Sequence, residues 1–139
     1  MPTVLVIDDE RGVRSFVARA MEIRGWAVSA ADSVTAGMHL ARHAHPDVVL
    51  CDVVMPGGGA PELLRNLHSE MPEIPVLLMS GHPTAQTGGG DALPHWFQQP
   101  PVLEKPFTLR QLERALKFAL REREQHDDAP RSEGSRRES

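Results

Sequence analysis

The chain has 139 residues, of which 40% are hydrophobic and 24% charged, so it has the size and composition of one ordinary globular domain. Its formal net charge of -4 gives no overall attraction to phosphate backbones or anionic lipids, and aromatic side chains make up only 4% of the residues. We therefore expect neither nucleic acid nor a membrane as a direct partner. The single cysteine, Cys51, excludes an internal disulfide and any site built from several cysteines.

The first half of the chain alternates short apolar runs with segments of helical periodicity, which is typical of an α/β protein. In chain order, the pattern predicts a strand over 3–7, a helix over 11–24, a strand over 26–31, a helix ending near 43 and a strand over 47–51. Gly25 is placed to end the first helix, and either Asp32 or Ser33 can cap the second. The first and third strands are nearly continuous in Val, Leu and Ile, so we expect them to be buried on both faces.

The second half continues this alternation with one interruption. The pattern predicts a helix over 61–69, strands over 74–79 and 101–104, and a last helix from 108 to about 124. Pro61 suits a first helical turn, and Thr108 with Gln111 forms a capping box. Between the last two strands, residues 81–100 contain seven glycines and prolines, so we expect the fourth helix to be short or missing.

These elements predict a doubly wound parallel sheet with helices on both faces. We expect one domain over 1–124 and a disordered polar tail over 125–139, since the tail lacks apolar anchors. In such sheets the working site lies outside the carboxyl ends of the strands. The polar residues at those ends are Asp8 with Asp9, Asp52, Ser80 and Lys105.

Over about residues 3–123 the chain resembles the receiver domain of two-component response regulators. The resemblance is carried, in order, by the Asp8–Asp9 pair, Asp52 in DVVMPG, Ser80 in MSG and Lys105 in KPF. It implies a flavodoxin-like receiver fold with five parallel strands in the order 2-1-3-4-5. It also implies a regulatory phosphoacceptor domain rather than an enzyme.

The resemblance implies a magnesium site. In the family pattern, Asp9 and Asp52 bind Mg²⁺ directly together with the backbone carbonyl of Val54, and Asp8 binds it through water. The physics agrees, because with this strand order the carboxylates would lie close enough to repel one another and raise their pKa values. A hard divalent cation relieves that repulsion, and a few carboxylates plus waters are the usual ligands of Mg²⁺.

By the same resemblance, Asp52 is the phosphoacceptor, while Ser80 and Lys105 contact the phosphoryl oxygens. Phosphoryl transfer needs little beyond positioning and charge neutralisation, which a metal ion, an ammonium and a hydroxyl can supply. The implied donor is a histidine kinase or a histidine phosphotransfer protein. We expect a cytoplasmic monomer or weak dimer that acts on a downstream protein still to be identified.

Two features depart from the family pattern. Val102 stands three residues before the lysine, where the family usually carries an aromatic switch residue. The segment 81–100 carries Trp96 and Phe97, which would cover the sheet edge or anchor a partner. Such a variant segment resembles stand-alone receivers and receivers attached to hybrid histidine kinases more than transcription factors. A start at Met1 directly before the first strand favours a free-standing, single-domain receiver.

Other functions remain as alternatives. The chain could be a phosphorylation-independent adaptor or the receiver segment of a hybrid histidine kinase. An aspartate-nucleophile phosphatase would need a DxD pattern after the first strand, and a flavin carrier would need a phosphate loop where this chain has carboxylates. His39 and His43 are spaced for a shared helix face but lack a third metal ligand in the sequence pattern.

Overall fold

The computed structural model describes residues 1–55, 59–81 and 101–128, with side chains as far as residue 123. In chain order the elements are β1 (Thr3–Ile7), α1 (Arg11–Ile23), β2 (Ala27–Ala31), α2 (Val34–Ala44), β3 (Val48–Asp52), α3 (Ala60–Glu70), β4 (Val76–Ser80), β5 (Val102–Glu104) and α4 (Leu109–Asp128). Each predicted strand and helix outside 81–100 is present, with ends shifted by a few residues.

The five strands form one parallel sheet in the order β2-β1-β3-β4-β5. This confirms the predicted doubly wound, flavodoxin-like fold. The fourth helix of the described chain is the C-terminal α4. The predicted short or missing helix between β4 and β5, with Trp96 and Phe97, lies outside the described residues.

The sheet separates two apolar cores, because successive side chains of each strand point to opposite faces. Leu5 and Ile7 face the core that α2 and α3 cover, whereas Val4 and Val6 face the core that α1 and α4 cover. All four side chains are at most 1% exposed, as the nearly continuous apolar run predicts. Because both faces are covered, the polar ends of the strands are where chemistry can be placed.

Local signals fixed several helix ends. The hydroxyl of Ser33 accepts a hydrogen bond from the Ala36 N–H at 3.1 Å, so Ser33 is the cap of α2. Thr108 and Gln111 make both bonds of the predicted capping box, at 2.8 and 3.1 Å. Gly25 follows α1 with φ +91°, a conformation that favours glycine.

The end of α4 differs from the prediction. The helix continues to Asp128, past the expected end near residue 124. Among the side chains described, the last buried positions of the helix are Leu116 and Ala119, and the Arg, Glu and Gln residues that follow have high helix propensity. Residues 129–139 lie outside the described part, and the division into domain and tail stays a prediction.

Strand register brings the polar strand ends together. Ile7 pairs with Cys51, Asp52 with Met79 and Ser80 with Glu104. The carboxyl ends of the strands therefore lie side by side, and they carry Asp8, Asp52, Ser80 and Lys105. No helix in the described ranges is long and apolar enough to span a membrane.

Candidate functional site

Three carboxylates meet at the carboxyl ends of β1 and β3. Asp8 and Asp9 directly follow β1, and Asp52 is the last residue of β3. One carboxylate oxygen from each lies within 4.8 Å of the others. Asp8 is fully buried and Asp52 is 8% exposed, whereas Asp9 faces solvent. The structure thus brings together the acidic residues predicted to hold a metal.

Lys105, in the loop after β5, supplies positive charge to this cluster. Its Nζ lies 2.8 Å from Asp8 Oδ2, 3.1 Å from Glu10 Oε1 and 3.5 Å from Asp52 Oδ2. The loop is tied to β4, because the Lys105 N–H donates to the Ser80 carbonyl at 2.7 Å. The side chain spans the distance from β5 to β3, as expected for a lysine on the second strand away from Asp52.

The carboxylates of the cluster outnumber the single ammonium of Lys105. Burial, followed by the negative charge of Asp8, raises the pKa of Asp52 to about 6, although Lys105 and the Val54 N–H oppose this shift. Burial by itself would lower the pKa of Lys105. Its hydrogen bonds to Asp8 and Glu10 outweigh that effect, so the pKa of Lys105 is raised. One ammonium is shared among several carboxylates, and ionisation of Asp52 is less favourable here than in water.

The donor set fits a hard divalent cation. Carboxylate oxygens grouped this closely match the preference of Mg²⁺ for a few carboxylates plus water. Burial and then the charge of Asp8 raise the pKa of Asp52 despite the opposing effect of Lys105, and a bound cation would oppose both. Val54 contributes its N–H to the Asp52 carboxylate, and its side chain is 71% exposed at the rim. The ligand role of the Val54 carbonyl stays a prediction.

A cavity of about 920 Å³ opens onto the cluster. Asp52, Ser80 and Lys105 line one part of it, and Phe16 and Phe107 line another. The two phenyl rings lie 6.0 Å apart between centroids in a tilted arrangement. Ser80 is 4% exposed. The three residues predicted to handle a phosphoryl group therefore share one cavity with an apolar flank.

The loop after β1 is held by contacts that the sequence did not indicate. Asp8 Oδ1 accepts a hydrogen bond from the Glu10 N–H at 2.9 Å, and the Asp8 carbonyl accepts one from Arg14 Nη1 at 2.8 Å. Glu10 had one signal, its position directly after the acidic pair. Arg14 had none, since helical spacing does not show which backbone carbonyl a long side chain reaches.

The other candidate groups do not join a site of this kind. The rings of His39 and His43 lie 4.4 Å apart between centroids in a tilted arrangement, but neither belongs to a cluster of three metal-ligating side chains in the ranges the structure covers. Cys51 is fully buried. Burial, followed by the charge of Asp52, raises the pKa of its thiol, which keeps it protonated.

Comparison with known proteins gives one consistent answer. The family model for the response regulator receiver domain matches residues 4–117. A "Probable transcriptional regulatory protein TcrX" of Mycobacterium tuberculosis is 32% identical over 125 residues, covering 86% of this chain and 50% of that protein. A "Response regulator MprA" of Mycobacterium avium is 28% identical over 91% of this chain and 54% of its own length. The chain thus spans about half the length of the curated relatives it matches.

Solved structures share the fold. A response regulator receiver domain from Clostridium thermocellum has a TM-score of 0.77 and 26% identity, covering 89% of this chain and 98% of that one. The chemotaxis protein CheY4 of Vibrio cholerae has a TM-score of 0.72 and 25% identity, covering 86% and 99%. Together with the family match and the acidic cluster at the strand ends, these likenesses show that the chain belongs to the response regulator receiver domain family, a regulatory family of two-component signalling.

Proposed function

We propose that this receiver domain is a phosphoacceptor switch in which Asp52 takes a phosphoryl group from a phosphohistidine donor. The observation that carries the proposal is the placement of the Asp52 carboxylate. It lies 3.5 Å from the Lys105 ammonium, which also contacts buried Asp8 at 2.8 Å, and it lines a cavity together with Ser80.

In the proposed reaction, a bond forms between phosphorus and a carboxylate oxygen of Asp52 while the P–N bond of the donor breaks. The electron pair of that bond returns to the imidazole nitrogen, which takes up a proton. Lys105 and the Ser80 hydroxyl would donate to the phosphoryl oxygens as charge builds on them. Mg²⁺, held by Asp8, Asp9, Asp52 and the Val54 carbonyl, would supply the remaining charge neutralisation.

The surroundings of Asp52 favour a protein donor. Phe16 is 42% exposed and lies beside Phe107 on the flank of the same cavity. Exposed aromatic side chains next to a reactive group are typical anchors for a docking protein. A histidine kinase or a histidine phosphotransfer protein meets this requirement.

Output would pass through protein–protein interaction in the cytoplasm rather than through chemistry on a small molecule. A phosphoryl group on Asp52 adds charge between Lys105 and Ser80, and a shift of these two residues would bias the domain between two states.

Intact mass spectrometry after incubation with acetyl phosphate and Mg²⁺ tests the proposal. We expect one added phosphoryl group on the wild type, none on Asp52→Asn, and none on the wild type when a chelator removes divalent ions. Asp47→Asn is the matched control and should still be modified. An adduct that persists in Asp52→Asn would overturn the site, and no adduct on the wild type would favour a phosphorylation-independent adaptor.

A further inference from the structure

Glu10 is an acidic residue that touches the site without belonging to the metal cluster. It occupies the N-cap position of α1, where an acidic side chain often accepts a hydrogen bond from the helix, yet it makes no such bond. Its Oε1 instead lies 3.1 Å from Lys105 Nζ. Across the described residues, this is the contact that the structure records for its carboxylate. The Glu10 carboxylate is thus paired with the Lys105 ammonium, the same group that would bind the phosphoryl oxygens.

The ammonium of Lys105 has three N–H donors, and three carboxylates surround it. The distances are 2.8 Å to Asp8, 3.1 Å to Glu10 and 3.5 Å to Asp52. A phosphoryl group on Asp52 brings new oxygen acceptors to the same ammonium. The donor nearest Asp52, whose contact is the longest of the three, can pass to one of these oxygens, but a second phosphoryl oxygen reaches the ammonium only when the Asp8 or the Glu10 contact gives way.

Exposure decides which contact gives way. The Asp8 contact is the shortest, at 2.8 Å, and the Asp8 side chain is 0% exposed, so bulk water cannot replace Lys105 there. The Glu10 side chain is 63% exposed, so water can replace Lys105 at little cost. The Glu10 contact is therefore the one that a phosphoryl group would displace.

We propose that Glu10 is a positioning residue that competes with the phosphoryl group for Lys105 and thereby slows phosphorylation of Asp52. The inference rests on the proposed phosphoacceptor function. Two effects act in the same direction. The carboxylate holds one donor of Lys105, and its negative charge repels the anionic phosphoryl donor as it approaches.

The first test measures the initial rate of phosphoryl addition from acetyl phosphate at low ionic strength. An exposed ion pair contributes enough to change this rate about two- to fivefold, so Glu10→Gln should be faster than the wild type by that factor. Glu10→Asp keeps the charge with a shorter reach and should fall between the two. Glu22→Gln, an exposed site at the other end of α1, is the matched control and should leave the rate unchanged.

Ionic strength separates competition from a purely structural effect. At about 1 M salt the Debye length shrinks to about 3 Å. The rate advantage of Glu10→Gln should then largely disappear, because the exposed pair is screened. A rate change caused by altered packing would persist in salt.

The second test needs neither metal nor phosphoryl donor. The chain has two lysines, Lys105 and Lys117, so NMR of protein labelled at lysine gives two resolvable side-chain signals. In metal-free buffer, Glu10→Gln should shift the Lys105 signal and leave Lys117 in place. Lys117 pairs with Glu113 on α4 and serves as the internal reference.

The outcomes are distinguishable. An equal or slower rate in Glu10→Gln, or an unmoved Lys105 signal, would overturn the role of Glu10 while the wild-type adduct still upholds the phosphoacceptor function. Absence of the adduct from every variant would overturn the proposed function, and the competition with it. A faster Glu10→Gln with a shifted Lys105 signal supports both.

Discussion

The two ends of the parallel sheet hold aspartates in opposite circumstances. At the amino end, Asp47 accepts hydrogen bonds from the Thr3 N–H at 2.8 Å, the Thr3 hydroxyl at 3.2 Å and Arg123 Nη1 at 2.9 Å. At the carboxyl end, clustered carboxylates share the ammonium of Lys105. At the first end the charge of Asp47 is met by several donors, whereas at the second end one ammonium is shared among several carboxylates.

This difference separates a structural aspartate from one arranged for chemistry. Asp47 ties the start of β1 to the start of β3 and to α4, so its charge serves folding. Asp52 holds its charge against burial and against the negative charge of Asp8, so its charge opposes folding. A group whose placement costs stability is a good candidate for function.

The largest expected effect falls on Lys105. Lys105→Met should slow phosphoryl addition from acetyl phosphate about 100-fold, because it removes a donor aimed at the developing charge. Circular dichroism should show that the variant remains folded. Lys117→Met, which changes a lysine of α4 outside the site, should react at the wild-type rate. Equal rates for the two variants would place Lys105 outside the reaction.

The next prediction is that the same substitution, Asp to Asn, changes the free energy of unfolding in opposite directions at the two ends of the sheet. In metal-free buffer at pH 7, Asp52→Asn should raise the free energy of unfolding by roughly 1–2 kcal/mol, because it removes a charge that is disfavoured by burial and then by repulsion from Asp8. Asp47→Asn should lower it by about 1–2 kcal/mol, because it weakens charge-assisted hydrogen bonds. Urea denaturation measures both. Changes of the same sign would remove the distinction between the ends.

The smallest expected effect is a pH dependence. The pKa of Asp52 in the folded protein, about 6, exceeds its ordinary value of 3.8, so between these values the folded state binds more protons than the unfolded state. The contribution of Asp52 to stability therefore falls as pH rises from about 4 to about 7. The difference in unfolding free energy between Asp52→Asn and wild type should grow over this range.

Saturating Mg²⁺ provides the control for the pH experiment. Binding to the folded wild type should raise its stability and flatten the difference, because a bound cation keeps Asp52 ionised. A difference that stays constant with pH in metal-free buffer would contradict the assigned electrostatics.

Much of the fold could be predicted because its signals are local. Apolar runs such as Thr3–Ile7 and caps such as Ser33 and Thr108 lie within a few residues of the elements they define. The strand order came from the family resemblance, because periodicity gives the elements and not their neighbours. The end of α4 was placed too early, since apolar spacing stops before helix propensity does.

The site divides in the same way. Its principal residues were predictable because each lies at the end of an apolar strand, and the carboxyl ends of parallel strands lie on the same side of the sheet. The contacts of Glu10 with Lys105 and of Asp47 with Arg123 were not, since they join residues 95 and 76 positions apart through side-chain rotamers. Composition and spacing carry no information about such pairs.

Chemical trapping of the phosphorylated residue tests the central claim most directly. Wild-type protein is treated with acetyl phosphate and Mg²⁺ and then reduced with borohydride, which converts an aspartyl phosphate to homoserine, and the product is mapped by tandem mass spectrometry. We predict homoserine at position 52, with Asp8, Asp9 and Asp47 unchanged. Homoserine at position 47, or at 8 or 9 in place of 52, would contradict the account.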